Sequence, residues 1–284
     1  MTSTVWFGFL VRLGRWARPI LPASLANNIP LKRDAGQIPP IKHKRKVLLL
    51  DGCVQPALIP AINGAAIRVL DRAGISAIVV PEAVCCGALS LHLGVTQEAK
   101  KYMRRNIDAW WPKIESGCEA IVMTASGCGV TVREYGQLLS EDKAYAEKAA
   151  RISALTCDLS EILLAEKPGR MPLGKGRRVA FQVPCTLQHG QQINGAVEAL
   201  LSHYGWQLVK SREQHLCCGS AGTYSLLQSK ISRRLLIDKI TRLEEGQPEL
   251  IVSANIGCLL QLSKAASVSV RHWIELLDPA SEHR

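Results

Sequence analysis

Aromatic residues make up only 5% of this 284-residue sequence, and no stretch reaches the roughly 18 uninterrupted apolar residues of a membrane-crossing helix. The first scarcity argues against a stacking platform for nucleic acid, and the second against a transmembrane anchor. A phosphate loop, a dinucleotide fingerprint and a nucleophile elbow are also missing. The Gly-Ser-Ala-Gly run at 219–222 is too short and wrongly placed to stand for any of them. Arg residues interrupt the first apolar run and no small-x-small cleavage site follows it, so it does not read as a secretory signal. With 47% hydrophobic and 21% charged residues the chain is far from disordered and can bury a core of one large or two modest domains.

The charge of +11 is unevenly spread. Residues 1–46 hold nine Lys or Arg and one Asp, a net +8, leaving +3 for the other 238 residues. The basic excess therefore belongs to an N-terminal arm, residues 1–44, and gives no reason to expect a nucleic-acid partner. On a helical wheel Trp6, Phe9, Leu10, Leu13 and Trp16 share one side of the arm and Arg12, Arg15 and Arg18 the other. Two expectations stand side by side for this amphipathic helix: docking on an anionic membrane or a partner subunit, and packing on its own domain.

Cysteine is abundant, at positions 53, 85, 86, 118, 128, 157, 185, 217, 218 and 258. Cys53 to Cys85 is 32 residues, and so is Cys185 to Cys217. Both second members open a Cys-Cys-Gly, at 85–87 and 217–219; a Gly-Cys follows at Cys128 and at Cys258. Apolar strand-like runs precede each cysteine loop in register: Val47 to Leu50 and Val179 to Val183, Ile78 to Val80 and Trp206 to Val209, Ala120 to Met123 and Leu250 to Val252. The order strand, helix, strand, cysteine loop, helix, strand, cysteine loop, given twice, predicts an α/β fold of two tandem domains with mostly parallel sheets, residues 45–171 and 172–284.

Such a plan puts the repeated cysteines after strand C-terminal ends, where open α/β sheets gather their ligands. Neighbouring cysteines close only a strained disulfide, so a metal or cluster is the better reading of Cys53, Cys85, Cys86 and Cys128 as one site and of Cys185, Cys217, Cys218 and Cys258 as another. Spacing alone does not choose between iron-sulfur and zinc. Cys118 and Cys157 lack this context and read as small core residues. His189 and His215 stand close to cysteines as candidate donors or proton relays, with surface roles equally open. Asp158 and His272 read as helix starts, and Asn255 as a turn or capping residue.

The stretches Leu50-Asp51-Gly52-Cys53-Val54-Gln55, Val84-Cys85-Cys86-Gly87-Ala88-Leu89, Thr124-Ala125-Ser126-Gly127-Cys128-Gly129, Pro184-Cys185-Thr186-Leu187-Gln188-His189, Leu216-Cys217-Cys218-Gly219-Ser220-Ala221-Gly222 and Asn255-Ile256-Gly257-Cys258 resemble the cysteine-rich "CCG" domain proteins. That family includes the cysteine-rich subunit of heterodisulfide reductase and the iron-sulfur subunits of glycolate and lactate oxidases, and the glycolate oxidase iron-sulfur subunits are the nearest in pattern. The likeness runs from residue 45 to about 275, and the arm with Pro19, Leu21 and Pro22 is similar to the segment before the first such domain. The resemblance implies an iron-sulfur electron-transfer subunit, with 4Fe-4S clusters or zinc in a domain, that is not catalytic alone. It would work beside FAD-containing glycolate oxidase subunits and pass electrons to a membrane quinone, in the cytoplasm or on the inner membrane face.

Two departures qualify this. The ferredoxin-like part of such subunits, with its two Cys-x-x-Cys-x-x-Cys-x-x-x-Cys-Pro runs, has no counterpart in the sequence. The chain thus reads as truncated at its start, or as a short subunit with a ferredoxin-like partner chain. The fuller family pattern also has a cysteine three residues before Cys128 and Cys258, where Ala125 and Asn255 stand, so a five-thiolate cluster is not expected. A zinc-binding or non-redox scaffold, a lactate-oxidising complex and a thiol-disulfide enzyme are the competing readings.

Overall fold

The computed structural model describes residues 4–22, 32–166, 169 and 171–281, with the side chains of residues 4–6 excepted. Trp6 therefore lies outside the described side chains. Two four-stranded sheets make up its frame. The first contains β1 (Arg45–Leu49), β2 (Ile75–Val79), β3 (Ile121–Met123) and β4 (Thr156–Asp158), in the order β2-β1-β3-β4. The second repeats the order as β6-β5-β7-β8, with β5 (Arg178–Gln182), β6 (Gln207–Leu208), β7 (Leu250–Ser253) and β8 (Ser269–His272). Every pairing is parallel, which agrees with the expected duplicated α/β plan.

The central strands read as unbroken apolar runs because helices cover both faces of such a sheet. Val47, Leu48 and Leu49 are fully buried, as are Ile121, Val122 and Met123. The covering helices are amphipathic at helical spacing. Ala61–Arg72 buries Ile62, Ala65, Ala66, Val69 and Leu70, and Thr96–Glu115 buries Ala99, Met103, Ile107 and Trp110.

The order also explains the gathering of the cysteine loops. The chain runs from β1 to β2 on one side and returns to β3 on the other, so the ends of β1 and β3 flank a topological switch point, a natural ligand crevice. β5 and β7 flank the corresponding point in the second sheet. The fourth strand of each sheet, β4 and β8, was not expected from sequence.

The two halves are not independent beads. One apolar cluster takes in Val47, Ile62, Leu70, Leu159 and Leu163 from the first half and Val179, Val197, Leu201, Ile251 and Trp273 from the second. A second cluster, including Met103, Ile107, Trp110 and Tyr135, belongs to the first half alone. The helix Ala61–Arg72 packs on the 3-10 turn Trp273–Leu277. Arg68 donates to Asp278 at 2.8 Å, and Arg72 pairs with the same carboxylate at 3.3 Å.

The arm helix, Thr4–Ala17, departs from the helical-wheel reading in its orientation. Phe7 and Val11 pack against the shared core, and Arg15 turns inward to donate to the carbonyls of Ala57 (2.9 Å) and Leu58 (2.6 Å). Those carbonyls end the short helix Gln55–Leu58 and have no partner within it, which is why an Arg is accommodated on the inner side. Phe9, Leu10, Leu13 and Trp16 face outward, Trp16 with 79% of its surface exposed.

Candidate metal centres

In the first half, Cys53 follows β1 after Gly52, a left-handed residue at φ 81°. Asn63 holds this loop by donating to the Asp51 carboxylate at 2.7 Å and the Asp51 carbonyl at 3.0 Å. Gln55 ties it to the end of β3 through Thr124 Oγ1 at 2.8 Å. Cys85 and Cys86 follow β2 and are buried, and Cys128 sits in the first turn of the helix Ser126–Arg133 after β3. The second half repeats this with Cys185 after β5, Cys217 and Cys218 after β6, and Cys258 in the first turn of Ile256–Leu262 after β7.

All ten cysteines are thiols, none in a disulfide. The eight repeated ones form two sets. Cys53 meets Cys85, Cys85 meets Cys86, and Cys86 meets Cys128; Cys185, Cys217, Cys218 and Cys258 form the parallel row. Cys218 Sγ lies 3.1 Å from Cys258 Sγ. Cys185 is the exposed member, while Cys218 and Cys258 are buried.

The glycine of each triplet is needed where it stands. Gly87 and Gly219 have φ of 90° and 83°, and a Cβ on Gly219 would lie 2.4 Å from the Ser232 carbonyl oxygen. That conformation aims the Gly219 N–H at Cys217 Sγ, at 3.3 Å.

Hydrogen bonding favours the anion at Cys85 in the first row and at Cys217 and Cys258 in the second. Donation from Cys53, then Cys86, pulls Cys85 down to about 3 against the opposing effect of burial. Donation from Cys185 and Cys218 likewise pulls Cys217 down to about 2. The donors are pushed up in turn, Cys53 by its bond to Cys85 and Cys218 by its bond to Cys217. Asn255 adds a contact at the end of the second row, with Nδ2 3.7 Å from Cys258 Sγ. Its Oδ1 accepts from the Gly127 N–H at 3.4 Å, so this side chain spans the two sites instead of capping its own helix.

Whether these rows fit a metal group rests on donor chemistry. Each offers four soft sulfurs with N–H groups turned toward them, the ligand set of thiophilic metals and iron-sulfur clusters. Among the described residues no three His, Cys, Asp or Glu side chains already surround a single metal point. Cys218 Sγ and Cys258 Sγ, in hydrogen-bond contact at 3.1 Å, stand closer than the edge of about 3.8 Å that Zn–S bonds of about 2.3 Å define in a tetrahedron. Deprotonation replaces that attraction with repulsion and spreads the sulfurs, so the donor set suits a thiolate-bound group in its ionised form.

The remaining sequence candidates fall elsewhere. His189 and His215 are exposed. Asp158 caps the helix Leu159–Glu166, accepting from Ser160 N at 2.9 Å and Ser160 Oγ at 2.6 Å. His272 caps the turn after β8, and Cys118 and Cys157 pack in the cores. Sequence reading missed the residues behind the triplets. Asn106 donates to the Cys85 carbonyl at 3.0 Å, Tyr135 donates to the Cys86 carbonyl at 2.7 Å, and Lys239 is buried behind Cys217 and Cys218. Asn106 and Lys239 stand 21 and 22 residues past Cys85 and Cys217, one position out of register, so aligning the two halves on their triplets alone does not pair them.

Among known protein families, the cysteine-rich domain family, CCG, matches at residues 47–133 and 179–263, the segments that carry the two rows. The chain is 48% identical to the glycolate oxidase iron-sulfur subunit of Escherichia coli (strain K12) over 97% of its length and 68% of the relative's. It is 30% identical to the probable glycolate oxidase iron-sulfur subunit of Bacillus subtilis (strain 168), over 85% of this chain and 56% of that one. Lactate utilization protein A of Bacillus subtilis (strain 168) is 26% identical over 82% of this chain and 99% of its own. No helix among the described residues is long and apolar enough to cross a membrane.

Proposed function

The chain belongs to the cysteine-rich-domain family of the glycolate oxidase iron-sulfur subunits, and on that premise we propose that it is the iron-sulfur subunit of a 2-hydroxy-acid oxidase. In this reading an FAD-bearing partner subunit oxidises glycolate to glyoxylate, and the electrons leave toward a membrane quinone. Glycolate is preferred to lactate on the higher identity to the glycolate oxidase relatives. A ferredoxin-like partner chain would supply the remaining clusters, and the protein would work in the cytoplasm against the inner membrane face. The division into arm 1–44 and domains 45–171 and 172–284 belongs to the same proposal.

The observation that carries it is the repeated row of four thiols at equivalent sheet edges. Cys53, Cys85, Cys86 and Cys128 would hold one group and Cys185, Cys217, Cys218 and Cys258 the other. A 4Fe-4S cluster supplies one-electron chemistry with four thiolate ligands. The chain's own part is to bury the sulfurs, orient them through the left-handed glycines and direct the Gly219 N–H at Cys217. The exposed Cys185 marks the side a redox partner would approach.

Anaerobic purification with iron, sulfide and zinc analysis tests this. About four irons and four sulfides per occupied site are expected from cubane stoichiometry, with Cys86→Ala and Cys218→Ala each removing the share of one site. Protein that carries only zinc, or no metal, would overturn the cluster assignment.

A further inference from the structure

The two sites are alike in their sulfurs but not in what lies behind them. In the first half, the helix Thr96–Glu115 brings the Ala99 carbonyl against Gly87; in the second, Ser229–Glu244 brings Ser232 against Gly219. Seven residues further along each helix stand Asn106 and Lys239. Asn106 is neutral, donates to the Cys85 carbonyl and Tyr135 Oη, and accepts from Val84 N. Lys239 is 1% exposed and donates to the Gln214 carbonyl at 2.8 Å, three residues before Cys217. Among the described residues no carboxylate pairs with it. An ammonium buried without a carboxylate is costly, and it persists where other negative charge compensates it. Burial lowers the Lys239 ammonium from its ordinary value, and the row of sulfurs Cys218, Cys258, Cys217 and Cys185 is the negative partner that opposes this and favours its protonated form. Among the described residues no cation acts comparably on Cys53, Cys85 or Cys86.

We propose that the buried ammonium of Lys239 makes the Cys185, Cys217, Cys218 and Cys258 site the higher-potential of the two, so that an electron entering the chain settles there. The inference rests on the cluster reading above. Reduction adds one negative charge to a thiolate-bound group. A fixed positive charge behind the second site stabilises that added charge, while Asn106 behind the first offers only a dipole. The same charge orders the two sites, with the second beside the exposed Cys185 as the exit.

The test is a potentiometric titration of the anaerobic, iron-loaded full chain followed by electron paramagnetic resonance, with no substrate turnover involved. The Cys86→Ala and Cys218→Ala proteins assign each signal to its site. The wild type should show the second site reduced first. In Lys239→Met, which keeps the length and removes the charge, the second-site potential should fall toward the first, with the first unmoved. Retained iron and sulfide and an unlowered melting temperature would show that this variant is intact; Asn106→Lys, should it load, would raise the first-site potential. A second site that titrates below the first, or an intact Lys239→Met protein with unchanged potentials, would overturn this inference alone. A wild-type chain without iron and sulfide would overturn the cluster reading and this inference with it.

Discussion

Both ring nitrogens of His272 are committed in a fully buried site: Nε2 donates to the Thr124 carbonyl at 2.9 Å, and Nδ1 accepts from Ile274 N at 3.3 Å. A second proton would remove that acceptor, and burial, aided by the Arg33 charge, lowers the ring to about 3. The folded value lies below the unfolded value of about 6.5. Its contribution to stability is therefore complete above pH 6.5 and is lost as pH falls toward 3, at up to about 1.4 kcal/mol per unit. Asp158 has the opposite sign, since burial raises its carboxyl to about 6 and its contribution is lost as pH rises from about 4 through 6. Denaturation of wild type and His272→Asn between pH 4 and 7 separates them, because the Asp158 share cancels in the difference. The variant should show a shallower loss of stability on acidification; equal slopes would refute the assignment. This residue also marks the reach of sequence reading. His272 and Asp158 are legible as helix starts because capping is local, whereas the link from His272 to Thr124 joins residues from opposite halves and has no local signal. Asn255 shows the same limit, occupying the cap position while its side chain serves Gly127 and Cys258.

Among the elements, those with a period strong enough to read were the central strands and long helices. β4 and β8 escaped because three or four residues carry no alternation, and their ladder partners lie more than ten residues away. The arm was legible as an amphipathic helix but not in its rotation, which Arg15 sets by reaching the carbonyls at the end of Gln55–Leu58. Its outward face leaves Phe9, Leu10, Leu13, Trp16 and Ile20 exposed beside Arg12, an arrangement suited to the acyl boundary of an anionic bilayer. On the proposal that the protein works against a membrane, it should sediment with vesicles of mixed neutral and anionic lipid, and more weakly as the anionic fraction is lowered or salt is raised. Leu13→Glu with Trp16→Glu should abolish sedimentation without altering metal content, since neither side chain packs in the core. Sedimentation that survives the double substitution would remove the arm from the membrane contact.

For the whole molecule, duplication was legible as two cysteine triplets, but the way the copies lock together was not. The lock is assembled from pieces that each look like surface in their own half. Arg68 and Arg72 lie on the helix Ala61–Arg72, and Asp278 follows the 3-10 turn Trp273–Leu277 of the second half. Together the three form two ion pairs on one carboxylate, whose side chain is wholly buried. Ser281 completes it, donating to Asp278 Oδ2 at 2.8 Å. Burial raises the Asp278 carboxyl, but donation from Arg68 and Ser281 outweighs it and leaves the group below its ordinary range, so it is ionised at neutral pH. Removing the carboxylate leaves Arg68, itself largely buried, with the Ala35 and Gln37 carbonyls but no counter-charge from Asp278, at a cost of about 3 kcal/mol. The apolar cluster shared by both sheets then dictates how that loss is seen. A core common to two halves couples their unfolding, so wild type and Asp278→Ala should each lose structure in one transition, the variant at lower urea with a similar slope. The check is to follow tryptophan fluorescence and far-ultraviolet circular dichroism together. Trp110 reports the first half and Trp206 and Trp273 the second, so separated transitions would mean that the copies fold independently and that the shared core does not couple the two sites.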